Sequence, residues 1–103
     1  MYFTITGTFA RYGHEFMKEG MKVKLEKEPE NEYDSEAIRV EMPGLGLIGY
    51  VANSIHTVIG ESLSAGRLYD RIGDIAAGEV LYILPQGVVC RIIEDDEFNQ
   101  VIL

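Results

Sequence analysis

The chain is short of cysteine, histidine and positive charge. Its 103 residues include one Cys, two His and nine Lys and Arg, against 17 Asp and Glu. Each shortage excludes something. Cys90 alone cannot close an internal disulfide, which fits a reducing compartment. His14, His56 and Cys90 do not reproduce a zinc-ligand spacing, so no metal or other cofactor is expected. The net charge of −8 argues against a high-affinity, charge-driven nucleic-acid binder, because such proteins carry a basic face. No apolar run approaches the roughly 18 residues of a membrane span. The N-terminal Met1-Tyr2-Phe3-Thr4-Ile5-Thr6 lacks the basic and long apolar regions of a signal peptide, so a cytoplasmic location is expected. Internal repeats, low-complexity tracts and linkers are also missing, and one domain over residues 1–103 is the expectation.

What is present is ordinary globular composition, 47% apolar and 25% charged. Thr4 to Ala10 reads as a first strand, with Gly7 marking a bulge or a close backbone approach. Met21 to Glu28 alternates, with Met21, Val23 and Leu25 on one face and Lys22, Lys24 and Glu26 on the other. That period of two belongs to a half-buried strand, which Pro29 ends. Ala37 to Met42 alternates again, with Ile38, Val40 and Met42 inward. Pro43-Gly44 turns the chain and Leu47 to Val51 returns it. The period then changes: Ile55, Val58, Ile59, Ser62 and Leu63 fit one helical face, with Asn53 or Ser54 as N-cap and Gly66 just past the C-terminus. Glu79 to Leu84 and Val88 to Ile93 are two more strands, joined through Pro85-Gln86-Gly87. About six short strands and one main helix fit neither a βαβ array nor a bundle. They predict a mainly β fold, a small antiparallel β-barrel with one main α-helix and short helical turns.

Catalytic patterns fail on inspection. Gly44-Leu45-Gly46-Leu47-Ile48-Gly49 matches G-x-G-x-x-G literally, but a strand follows it where a dinucleotide site needs a helix N-terminus. The acids from Glu30 to Glu36 lack the glycine that a calcium loop needs at its sixth position, where Ser35 stands. Cys90 alternates with Val88 and Ile92 and reads as a small core residue. Gly60-Glu61-Ser62-Leu63-Ser64 lacks the last glycine of a nucleophile elbow. No catalytic set assembles, and a non-enzymatic role is expected.

The segment that carries chemistry is Glu28-Pro29-Glu30-Asn31-Glu32-Tyr33-Asp34. Asn and Asp stabilise turns through side-chain bonds to the backbone, and Tyr33 serves either to cover the core or to project. A projecting tyrosine on a rigid loop is a stacking platform for an unpaired base, worth about 1–3 kcal/mol and tolerant of sequence. A carboxylate beside it repels phosphate but accepts a hydrogen bond from a sugar hydroxyl or an exocyclic amine.

The order Glu-Pro-Glu-Asn-x-Tyr-Asp-x-x-Ala-Ile over residues 28–38, followed by Ile48-Gly49-Tyr50-Val51, resembles the HIRAN domain. This module occurs at the N-termini of some DNA-remodelling helicases and as small stand-alone bacterial proteins. The resemblance runs from about Thr6 to Val51. It implies a small β-barrel with helical insertions and a pocket for the free 3′ end of single-stranded DNA. By motif, Asn31, Tyr33 and Asp34 would stack a base and hold the 3′ hydroxyl, and Tyr50 would line the same pocket. DNA-binding members show a Gly-x-Arg-Tyr-Tyr arrangement after the first strand. This chain has Gly7-Thr8-Phe9-Ala10-Arg11-Tyr12, shifted by two residues. Either a bulge brings Arg11 and Tyr12 to the pocket, or Phe9 supplies the second ring. Glu32 stands where proline is usual.

Two functions follow. The first is recognition of single-stranded or frayed DNA 3′ ends, in a DNA repair setting. The second is a protein-interaction module that docks a basic partner through the acidic loop and the apolar tail Val101-Ile102-Leu103. No membrane partner is expected.

Overall fold

The computed structural model describes residues 1–7 and 16–93. Six strands follow in chain order: β1 (Tyr2–Thr6), β2 (Lys22–Lys27), β3 (Ile38–Met42), β4 (Gly46–Val51), β5 (Ile75–Leu84) and β6 (Gly87–Ile92). A short helix, α1 (Ala65–Tyr69), lies between β4 and β5. The strands close into an antiparallel barrel in the order β1-β4-β3-β2-β5-β6, with β6 returning to β1. The expected mainly β barrel is therefore the observed fold.

The three strands read from alternation pair as consecutive antiparallel neighbours, Leu25 opposite Val40 and Val40 opposite Gly49. Val23, Leu25, Ile38 and Val40 are fully buried. Their charged neighbours stay at the surface, because a one-residue slip would bury the whole charged set. Two bulges bend the sheet. The pairing steps from Val40–Gly49 to Glu41–Leu47, leaving Ile48 as the extra residue in β4. It steps likewise from Val80–Cys90 to Tyr82–Val89, leaving Leu81 extra in β5. Such bulges increase twist and help a six-stranded sheet curl shut.

Phe3 and Ile5 point into the barrel, and Phe3 reaches across to Gly78 on β5. A Cβ at Gly78 would sit 2.6 Å from Phe3 Cζ, so only glycine admits the ring. Cys90 is buried in this core as expected, and burial pushes its thiol far above its usual pKa. On the outside, Glu79 accepts from Lys22 Nζ at 2.7 Å and from Arg91 Nε at 2.6 Å. Those bonds, Lys22 first, hold the Glu79 carboxyl below its ordinary value of 4.5. The triad's stabilisation is therefore present above that pH and is lost as pH falls through the lowered folded value.

Two expectations change. The first strand begins at Tyr2 rather than Thr4; β1 ends at Thr6, Gly7 follows with φ of 83°, and the rest of the expected strand, residues 8–10, lies outside the described residues. The expected helix over Ile55–Leu63 is an irregular excursion, and the helix lies later. One turn does start: Ser54 O accepts from Thr57 N and Val58 N, and Ser54 Oγ accepts from His56 N. It stops because β1 takes the next donors. Ile59 N–H goes to Thr4 Oγ1 at 3.1 Å, and Leu63 N–H goes to Tyr2 O at 2.8 Å. Gly60 then turns left-handed with φ of 59°. Ala65 N–H to Ala52 O, 2.9 Å, ties the two ends of the excursion together. Ser64 caps α1, and Gly66 sits inside this helix rather than beyond one. The apolar tail lies outside the described residues, as do residues 11–15 of the connection from Arg11 to Gly20.

Candidate nucleic-acid interface

Pro29 has no N–H to extend β2, and the chain leaves the sheet there. The neck of the resulting loop is closed by Glu28 N–H to Ala37 O at 2.8 Å. Inside it, Asn31 does the work of a backbone turn. Its Oδ1 accepts from Tyr33 N at 2.9 Å and Asp34 N at 3.0 Å, while its Nδ2 donates to Glu28 Oε1 at 2.9 Å. Asp34 Oδ1 accepts from Glu36 N at 2.9 Å, and Asp34 O accepts from Ala37 N. The loop so satisfies its polar groups from within, and no contact of Tyr33 is required. The Tyr33 side chain projects, leaving the residue 94% exposed.

Tyr50 approaches from β4. Its hydroxyl donates to the Glu28 carboxylate, with the two oxygens at 3.0 and 3.2 Å. Glu28 thus ties Asn31 to Tyr50 and also takes Arg39 NH1 at 3.4 Å. Arg39 Nε lies 3.0 Å from Glu41 Oε1, an ion contact without hydrogen-bond alignment. Asn31, Tyr33, Asp34, Ala37, Tyr50 and Val51 line one open groove of about 410 Å³. Four of the expected site residues, Asn31, Tyr33, Asp34 and Tyr50, therefore meet in one place. Phe9, Arg11 and Tyr12 lie outside the described residues. The chain enters their segment beside the groove, since Thr6 pairs with Tyr50 and Gly7 packs against Gly49.

One neighbour escaped the sequence reading. Asn53 Nδ2 donates to Asp34 Oδ2 at 2.8 Å, and Asn53 Oδ1 accepts from Gly66 N at 2.8 Å. Asn53 or Ser54 is expected to cap a helix starting beside them, but Asn53 bonds the first turn of α1, 13 residues on. The Asp34–Asn53–Gly66 relay couples the loop to α1. The two approach so closely that a Cβ on Gly66 would lie 2.8 Å from Glu36 Oε1. No periodicity signals this role for Asn53.

The electrostatics are lopsided. The described groove lining contains Asp34 and no base. Glu30, Glu32 and Glu36 are exposed on the same loop, and Arg39 is engaged by two carboxylates. Such a surface suits a neutral hydroxyl or amine donor and disfavours a dianionic phosphate.

Among the described residues no helix is long and apolar enough to cross a membrane. No curated protein and no solved structure matches the chain. The family model of the HIRAN domain matches residues 1–78, which take in β1 to β4, the loop with Tyr33, α1 and the start of β5. HIRAN domains are DNA-binding modules and are generally non-catalytic. With three quarters of its length matched, this chain belongs to the HIRAN domain family.

Proposed function

We propose that the protein binds the 3′ end of single-stranded or frayed DNA, in the setting of DNA repair. The observation that carries this reading is Tyr33, 94% exposed on a loop whose own bonds hold it in place, beside Asp34 in a groove with Tyr50. The terminal base stacks on Tyr33. Asp34 accepts from the 3′ hydroxyl: each of its oxygens has one protein partner and keeps a lone pair for another. Asn31 holds both residues in register through their backbone N–H groups. From the family resemblance, either Arg11 and Tyr12 complete the site or Phe9 alone supplies a second ring.

The test is fluorescence anisotropy with oligonucleotides that differ only at the 3′ terminus. A 3′ phosphate removes the donor and sets a dianion against Asp34. A hydrogen bond to a charged group is worth roughly 1.5–3 kcal/mol, so binding should fall about tenfold or more. Tyr33→Ala should weaken both ligands equally. Equal wild-type affinity for the two termini would exclude end reading. The salt slope should also be shallow, about one to three phosphates' worth at roughly −0.7 each.

The acids around the groove, Asp34 with the exposed Glu30, Glu32 and Glu36, favour one other reading, a docking surface for a basic protein segment. A Lys/Arg-rich peptide that binds more tightly than either oligonucleotide, with an affinity indifferent to Tyr33→Ala, would select it.

A further inference from the structure

A second groove of about 660 Å³ adjoins the first. Val51 lines the Tyr33 groove; two residues on, Asn53 lines the second and is bonded to Asp34. Its lining includes Asn53, Ser54, Ile55, Ser62, Ser64 and Arg67. Hydroxyls and amides alternate there with Ile55, which is 90% exposed. The groove's two charges are one of each sign, Arg67 and Glu61. Five of the eight described bases are already engaged: Lys22, Lys24, Arg39 and Arg91 with carboxylates, and Lys27 with Ile72 O and the Tyr69 ring. The remaining three are Lys18, Arg67 and Arg71. Of these, Arg67 lines the groove that adjoins the Tyr33 site through Asn53 and Asp34.

Resting on the 3′-end reading above, we propose that this second groove is the path of the strand 5′ to its terminal nucleotide, with Arg67 pairing a backbone phosphate there. The division of labour follows from charge. The Tyr33 groove rejects phosphate and takes a base and a hydroxyl. The anionic backbone must leave it at once, and the groove beyond Asn53 offers an uncommitted guanidinium with serine hydroxyls around it. Arginine's planar fork suits a phosphodiester. Ile55 gives a base or sugar face an apolar contact without selecting sequence. The site therefore reads a short stretch of single strand as well as an end.

The experiment is anisotropy of the full chain with a 5′-labelled nucleoside lacking phosphate and a 5′-labelled ten-nucleotide single strand, each with a free 3′ hydroxyl. Arg67→Ala should weaken the ten-nucleotide strand about three- to tenfold, the range between an exposed and a well-formed ion pair, and leave the nucleoside, which has no phosphate, unchanged. The salt slope for the ten-nucleotide strand should shrink by about 0.7, one phosphate contact. Arg67→Lys should restore part of the loss. Arg71→Ala, which removes the same charge outside the groove, should stay within about twofold of wild type. The preference for hydroxyl over phosphate ends should survive Arg67→Ala, because it resides at Asp34. Ten-nucleotide binding unaltered by Arg67→Ala, or lowered equally by Arg71→Ala, overturns the strand path while leaving end reading intact. Wild-type protein that binds no strand at all overturns both.

Discussion

Two excursions from the barrel, residues 28–37 and residues 53–64, are of similar length and opposite character. The first satisfies itself. Asn31 and Asp34 bond backbone groups within two or three residues, so its shape follows from local chemistry. The second is satisfied by others: its Ile59 and Leu63 donors go to β1, and its ends close on each other at Ala52 and Ala65. The difference explains why the polar loop could be read from its residues and the apolar segment misled. Asn and Asp act on neighbours in sequence, whereas spaced apolar residues show only that something will cover them. Leu63 is covered by joining β1 beside Phe3, Val58 and Ile59 are half-covered, and Ile55 is left in solvent.

Substitutions can break or sharpen this contrast. The largest effect is expected at Asn31, whose side chain makes three bonds in the self-contained loop. Asn31→Ala should cost about 2 kcal/mol, the upper range for a lost cap, and lower the denaturation midpoint without changing the slope. It should also abolish the hydroxyl-end preference. A variant as stable as wild type would mean the loop is held from outside.

The link between the two excursions comes next. Asp34→Asn sets an amide donor against the Asn53 amide and should cost about 1 kcal/mol or slightly more. Adding Asn53→Asp restores donor against acceptor and should recover most of that loss, a coupling that a double-mutant cycle measures. The swapped pair moves the carboxylate off position 34, so stability should return while the terminal preference does not.

Gly60 sharpens the contrast through a sign. In a helix, Gly60→Ala would stabilise by about 1 kcal/mol. At its left-handed φ of 59° the same change should destabilise by a similar amount. Chemical denaturation of the single variant distinguishes the two structures of the segment. The smallest effect is expected at Ile55. Ile55→Ser should move stability by less than about 0.5 kcal/mol, as for an exposed residue without partners. A large loss there would place Ile55 in a packed helix face.

Period-two alternation was enough to place β2 and β3 and to name Val23, Leu25, Ile38 and Val40 as core, because a strand with one wet face has only one tolerable register. Turn chemistry was enough to put Tyr33 on a braced loop, since Asn31 and Asp34 act within a few residues. Other features had no local signature. Gly78 is required because Phe3, 75 positions earlier, needs its space. Asn53 joins the site because α1 returns to it. Residues 53–64 lose their helix because β1 competes for their donors. Each of these depends on contacts between segments distant in sequence, which exist only once the barrel has closed, and so the tertiary structure alone decided them.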